Sequence, residues 1–84
     1  MDYQAIIHAL VDSIVEHPES IMIRESGEGK DITLLVCSEK EDTARLIGRK
    51  GAIANALREM VSVAGKTENK RVHLKFESFE SEEE

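Results

Sequence analysis

The sequence has one cysteine, one proline, no tryptophan and three aromatic residues, Tyr3, Phe76 and Phe79. A single thiol, Cys37, excludes an intramolecular disulfide framework and fits a reducing, cytoplasmic setting. So few aromatics argue against nucleic-acid modules that stack successive bases on aromatic platforms. Long apolar runs are missing too. The longest is Leu34-Leu35-Val36-Cys37, so neither a membrane span nor a signal-peptide core is expected. His8, His17 and His73 have no Cys or His at metal-ligand spacing, and no carboxylate pair stands out from the solvated charge. No metal, cofactor or catalytic group is therefore expected. Cys37 and His73 make a thiol–imidazole pair if their strands adjoin; the alternative is a buried thiol and an exposed strand histidine.

What is present is 84 residues, 40% hydrophobic and 33% charged, the balance of one small globular domain. A chain of this length buries about 60% of its unfolded surface, which leaves it marginal without a partner. The net charge of −6 is unevenly spread. Residues 77–84 hold five of the 17 acids and no base, whereas residues 1–76 are nearly neutral. From Thr43 to Arg58 there are four bases (Arg45, Arg49, Lys50, Arg58) and no acid. The body thus carries a basic segment, and the charge total misleads about partners.

Tyr3, Ile6, Ile7, Leu10, Val11 and Ile14 recur at helical spacing, which predicts a helix over 2–16 that Pro18 ends. Strands are predicted over 20–25 and 31–37, joined by a loop of a few residues around Gly27-Glu28-Gly29. A short helix starts at Ser38 or Glu39, with the acids Glu39, Glu41 and Asp42 in its first turn to suit the helix dipole, and Gly48 stops it after Ile47. A longer helix follows Gly51 to about Ala64, with Gly65 just past its end. A last strand over 70–76 turns Val72, Leu74 and Phe76 one way and Arg71, His73 and Lys75 the other. The order α-β-β-α-α-β predicts an α+β domain over residues 1–76, with helices packed on one face of a three-stranded sheet. Residues 77–84 read as a disordered acidic tail, either a solvated end or a competitor for the basic segment.

The informative stretch is Leu46-Ile47-Gly48-Arg49-Lys50-Gly51, between the two helices. Gly48 can take the left-handed conformation that ends the first helix, and Gly51 lets the chain turn straight into the second. The free amides of that second helix carry the positive end of its dipole, with Arg49 and Lys50 at the loop tip. A sugar–phosphate backbone fits such a clamp. A tight helix–helix turn with a charged tip is the plainer alternative. A P-loop is excluded because G-x-x-x-x-G-K-[ST] is absent and no strand leads into the turn. On the second helix, Ile53, Ala54, Ala56, Leu57, Met60, Val61, Val63 and Ala64 cover about half the circumference, more than the roughly 100° that core packing asks. Either the helix is buried on two sides, or a second apolar surface lies beside the core, with Ala54 at its edge and Arg58 at the rim.

These residues resemble the KhpA family of small, stand-alone bacterial KH-domain proteins. The likeness rests on Val15-Glu16-His17-Pro18, Leu46-Ile47-Gly48-Arg49-Lys50-Gly51, Ala54-Asn55-Ala56-Leu57-Arg58 and Lys70-Arg71-Val72-His73-Leu74. It implies a type II-like KH fold and a cytoplasmic protein that binds single-stranded RNA, with a G-x-x-G loop gripping about four nucleotides. It also implies an RNA-chaperone role, homodimers or pairing with a KhpB-like protein, and a link to cell length and peptidoglycan homeostasis. By position, Gly48, Arg49, Lys50 and Gly51 would hold the backbone, with Ile47 and Ala54 supporting the groove. Ala54 departs from the Ile common in KH domains and makes the groove shallower. The rival of another class is a dimerisation or scaffold module with little RNA binding of its own.

Overall fold

The structure is a computed structural model that describes residues 1–79. Helix α1 spans Tyr3–Val11, strands β1 and β2 span Met22–Glu28 and Asp31–Ser38, and helix α2 spans Lys40–Ile47. After the Arg49–Gly51 turn, helix α3 runs Ala52–Lys66 and strand β3 runs Arg71–Ser78. The sheet order is β1-β2-β3, with β1 antiparallel and β3 parallel to the central β2. The expected α-β-β-α-α-β order and α+β class are those observed, in the mixed-sheet form of a KH fold.

Alternation in β2 sets the two faces of the sheet. Ile32, Leu34 and Val36 are buried beneath the helices, while Thr33, Leu35 and Cys37 point to the open face. Val72 and Leu74 of β3 join the core with Leu46 of α2, Leu57 and Val61 of α3, and Tyr3, Ile7 and Val11 of α1. The outer strand β1 is mostly exposed and carries Arg24, Glu25 and Glu28, charges that discourage pairing at a sheet edge.

Four boundaries differ from expectation. Helix α1 ends at Val11 instead of reaching residue 16, and its last turn tightens as the Ile14 N–H donates to the Val11 carbonyl at 2.9 Å. The amides of Glu16 and His17 donate to the two carboxylate oxygens of Asp42, both at 2.9 Å. A side chain on α2 has thus drawn those two donors out of the helix. The hairpin closes through Gly29 and Lys30 alone, because Gly27 belongs to β1. A Cβ there would come within 2.1 Å of the Asp31 carbonyl oxygen. Gly65 lies inside α3 and is buried, since a Cβ would meet Val72 Cγ2 at 2.6 Å. Strand β3 runs to Ser78, two residues into the segment read as a tail. Residues 80–84 of that segment lie outside the described residues.

Cys37 and His73 share the open face but do not meet. Cys37 is opposite Glu77 and His73 is opposite Thr33, a four-residue offset of about 13 Å along the strands. His73 instead lies 3.5 Å from Asp31.

Asp42 was expected to serve the α2 dipole, yet its side chain is fully buried. Burial alone would push its carboxyl pKa up. The Glu16 and His17 amides and the Arg45 guanidinium at 2.9 Å outweigh that and hold it below the usual carboxylate range. A lowered folded-state pKa contributes stability above the unfolded value of about 3.9, lost as pH falls through the folded value. Asp42→Asn is therefore expected to lower the urea midpoint most near pH 7, and the gap from wild type should narrow as pH falls below the unfolded value of about 3.9. Chemical denaturation across that pH range measures it.

Candidate nucleic-acid interface

The turn between α2 and α3 is built from left-handed residues. Gly48 has φ 75°, Lys50 φ 56° and Gly51 φ 77°. The Gly48 N–H caps α2 by donating to the Ala44 carbonyl at 3.0 Å, and the Gly51 N–H returns to the Gly48 carbonyl at 3.1 Å. The two glycines are needed for different reasons. A Cβ on Gly48 would lie 2.8 Å from Ile53 Cγ1, whereas one on Gly51 would have nothing nearer than Asn55 Nδ2 at 4.0 Å. Lys50 is not a glycine, and a side chain in this region costs about 1–2 kcal/mol. Local strain of this kind concentrates where a segment is held for binding.

The turn leaves Arg49 and Lys50 exposed, and neither side chain makes an ion pair or hydrogen bond with the described residues. Directly after them α3 begins with no side-chain cap and no acid in its first turn. The positive end of a 15-residue helix with no side-chain cap and two free cations therefore converge on one point. Ile47 is 39% exposed beside the turn. Ala54, at 2%, presents almost no surface: it supports the turn from beneath instead of forming a groove floor.

Below the turn, α3 and β3 enclose an open groove of about 500 Å³ lined by Arg58, Glu59, Ser62, Val72, His73, Leu74 and Lys75. Its far wall is the unpaired edge of β3. The Arg71 N–H faces β2's side of that strand, donating to the Lys30 carbonyl, whereas the Leu74 carbonyl faces the groove. Alternation then turns the backbone groups of Val72, Leu74 and Phe76 outward. Arg58 bridges the groove instead of standing free at its rim. Its Nε donates to the Leu74 carbonyl at 3.0 Å, Nη1 donates to Asn55 Oδ1 at 3.1 Å, and the guanidinium lies 5.7 Å from the Phe76 ring centre. The expected site residues Ile47, Gly48, Arg49, Lys50 and Gly51 thus form one unit, with Ala54 behind it and Arg58 further down α3.

Sequence reasoning missed the β3 edge and its outward backbone, because strand pairing is not written in local periodicity. The apolar excess on α3 has a definite location: Ala56, Met60 and Val63 are exposed, Met60 at 52% and Val63 at 63%. None of the three lines the groove. Among the described residues no group of three His, Cys, Asp or Glu side chains could hold a metal ion, and no helix is long and apolar enough to cross a membrane.

A family model described as KhpA/KhpB, KH domain, matches residues 4–76. The RNA-binding protein KhpA of Bacillus subtilis is 35% identical over 75 residues, 89% of each chain. Its counterpart in Listeria monocytogenes is 32% identical over 71 residues, 84% of this chain and 93% of that protein. The one in Clostridium perfringens is 33% identical over 67 residues, 80% and 89% of the two chains. No solved structure matches the chain at a significant level.

The glycine geometry predicts unequal costs. Gly51→Ala should lose about 1–2 kcal/mol, the left-handed penalty alone. Gly48→Ala should lose more, because Ile53 must also move. Urea melts of the two variants rank them.

Proposed function

The chain belongs to the KhpA/KhpB KH-domain family, and from that premise we propose that it binds single-stranded RNA at the Gly48–Gly51 turn and in the α3/β3 groove, without catalysing a reaction. The observation that carries this is the convergence of free Arg49 and Lys50 on the uncapped start of α3. Phosphate oxygens lie at the positive end of α3 while the two side chains neutralise charge. Glycine at Gly48 and Gly51 lets the sugar–phosphate chain approach the main chain closely. Bases then lie along the groove, where the outward N–H and C=O groups of β3 pair with base edges. Arg58 closes that wall until a base displaces it from the Leu74 carbonyl.

Two or three phosphate contacts give weak binding with a shallow salt dependence, about 0.7 per neutralised phosphate on a single strand. Weak, short-lived contacts suit an RNA chaperone in the cytoplasm. Linking two such sites raises avidity through effective concentration. The exposed Ala56, Met60 and Val63 row on α3 supplies the surface for a second copy or a KhpB-like partner, leaving the groove open. The resemblance extends this role to the control of cell length and peptidoglycan homeostasis. The same row favours the second reading, a dimerisation or scaffold module that acts through association alone.

The loop decides between the two readings. In fluorescence anisotropy with a short single-stranded RNA, Arg49→Asp with Lys50→Asp should abolish binding at moderate salt. At low salt it should reduce the log–log salt slope by about 1.4, the value for two lost contacts. Circular dichroism and sedimentation should show fold and association unchanged. Wild-type affinity in the double variant would take the RNA off the turn, and no binding by either protein would favour the scaffold module.

A further inference from the structure

At the end of the domain opposite the G-x-x-G turn, three segments meet around an open cavity of about 230 Å³. They are the C-terminus of α3, the turn into β3 and the tip of the β1–β2 hairpin. Lys30, Lys66, Asn69, Lys70 and Arg71 line this cavity. Backbone bonds fix the arrangement: the Arg71 N–H donates to the Lys30 carbonyl at 2.7 Å, and the Lys70 N–H to the Gly65 carbonyl at 2.9 Å. Asn69, at φ 63°, reverses the chain between helix and strand, a conformation asparagine tolerates better than most residues.

Two of the acids at this pole, Asp31 and Glu68, are already engaged, while Glu28 on the hairpin makes no ion pair among the described residues. Asp31 holds Arg71 through two bonds, Nε to Oδ1 at 2.8 Å and Nη2 to Oδ2 at 3.0 Å. Glu68 accepts from the Tyr3 hydroxyl at 3.3 Å. Lys30, Lys66 and Lys70 make no ion pair among the described residues. Lys66 complements the negative end of the α3 dipole, but that accounts for one ammonium of the three. Three uncompensated ammonium groups and an amide donor around one open cavity suit an anion with several acceptor oxygens.

The cavity also has a direction. It lies at the foot of the groove whose head is the G-x-x-G turn, and the 15 residues of α3 separate the two by about 22 Å. Arg58 and Lys75 stand between them, with the one acid Glu59 next to Arg58. Cations therefore mark the start, middle and end of one track along α3 and β3.

We propose that this pole is a second phosphate site for the same RNA strand, receiving backbone phosphates beyond the nucleotides held at the turn. The inference rests on the RNA-binding reading and adds a length to it. A KH loop alone grips about four nucleotides, whereas this track engages a longer single strand and discriminates by length more than by sequence.

The test compares wild type with Lys30→Ala, Lys66→Ala, Lys70→Ala, using anisotropy over a salt series with a uridine tetranucleotide and a uridine dodecanucleotide. Lys30 and Lys66 are exposed and Lys70 is half-buried, and circular dichroism checks the fold. The expected result is unchanged tetranucleotide binding and weakened dodecanucleotide binding, with the salt slope for the longer strand reduced by about 2 at roughly 0.7 per contact. Equal dodecanucleotide affinity and slope in both proteins would overturn the second site, as would the same loss for both lengths, which reflects net charge and not position. The Arg49→Asp, Lys50→Asp protein separates the two claims. If that variant loses dodecanucleotide binding and the triple variant does not, the turn stands and the pole falls. If it binds like wild type, the turn reading fails and the continuous track fails with it.

Discussion

Two parallel strands cannot be joined by a tight turn, so the pairing of β2 with β3 forces the chain to leave the sheet, cross over it and return. Everything between Ser38 and Arg71 is that crossover. It is made of two helices instead of one, and the reversal between them has to be sharp enough for both to pack on the same face. Gly48 and Gly51 supply the left-handed backbone this requires, and Gly48 also gives Ile53 the space to close against it. The reversal therefore exposes the start of α3 by construction. The crossover's return strand, last in the three-stranded order, leaves its other edge open. Turn and helix start follow from parallel pairing, and the open strand edge from the small sheet.

An acidic chain that binds a polyanion presents an electrostatic puzzle until its charges are placed. Acids near the turn are either absent, as in the first turn of α3, or buried and satisfied, as is Asp42 beneath Arg45 and the Glu16 and His17 amides. Asp31 is occupied by Arg71. Arg49 and Lys50 keep their charge facing outward. At physiological salt the screening length is about 8 Å, so a strand at the turn experiences its local cations far more than the net charge of −6.

Much of this was legible in the sequence because it rests on local rules. The alternation of Ile32, Leu34 and Val36, the α2 stop at Gly48 and the α3 start after Gly51 follow from period and backbone freedom. The family likeness of Ile47-Gly48-Arg49-Lys50-Gly51 pointed to the same turn. The illegible parts depend on contacts distant along the chain. Asp42 looked like a dipole acid because nothing nearby in sequence reveals that Glu16 and His17 will donate to it from 26 and 25 residues away. Gly65 looked like a terminator because its contact with Val72 exists only after β3 folds back. Arg58 looked like a free rim cation, and its bond to the Leu74 carbonyl requires knowing which edge of β3 is unpaired. Ala54 reads in the sequence as the edge of an open apolar surface, and its burial follows from packing that no single helix encodes.

The most direct measurement is a nitrogen-15 correlation spectrum of the uniformly labelled protein titrated with short single-stranded RNA. The account predicts the largest amide shifts at Gly48 through Ala54, with a second set at Val72, Leu74 and Phe76 along the outward edge of β3. Shifts confined to the open sheet face at Thr33, Leu35 and Cys37, or to the exposed α3 row at Ala56, Met60 and Val63, would contradict it.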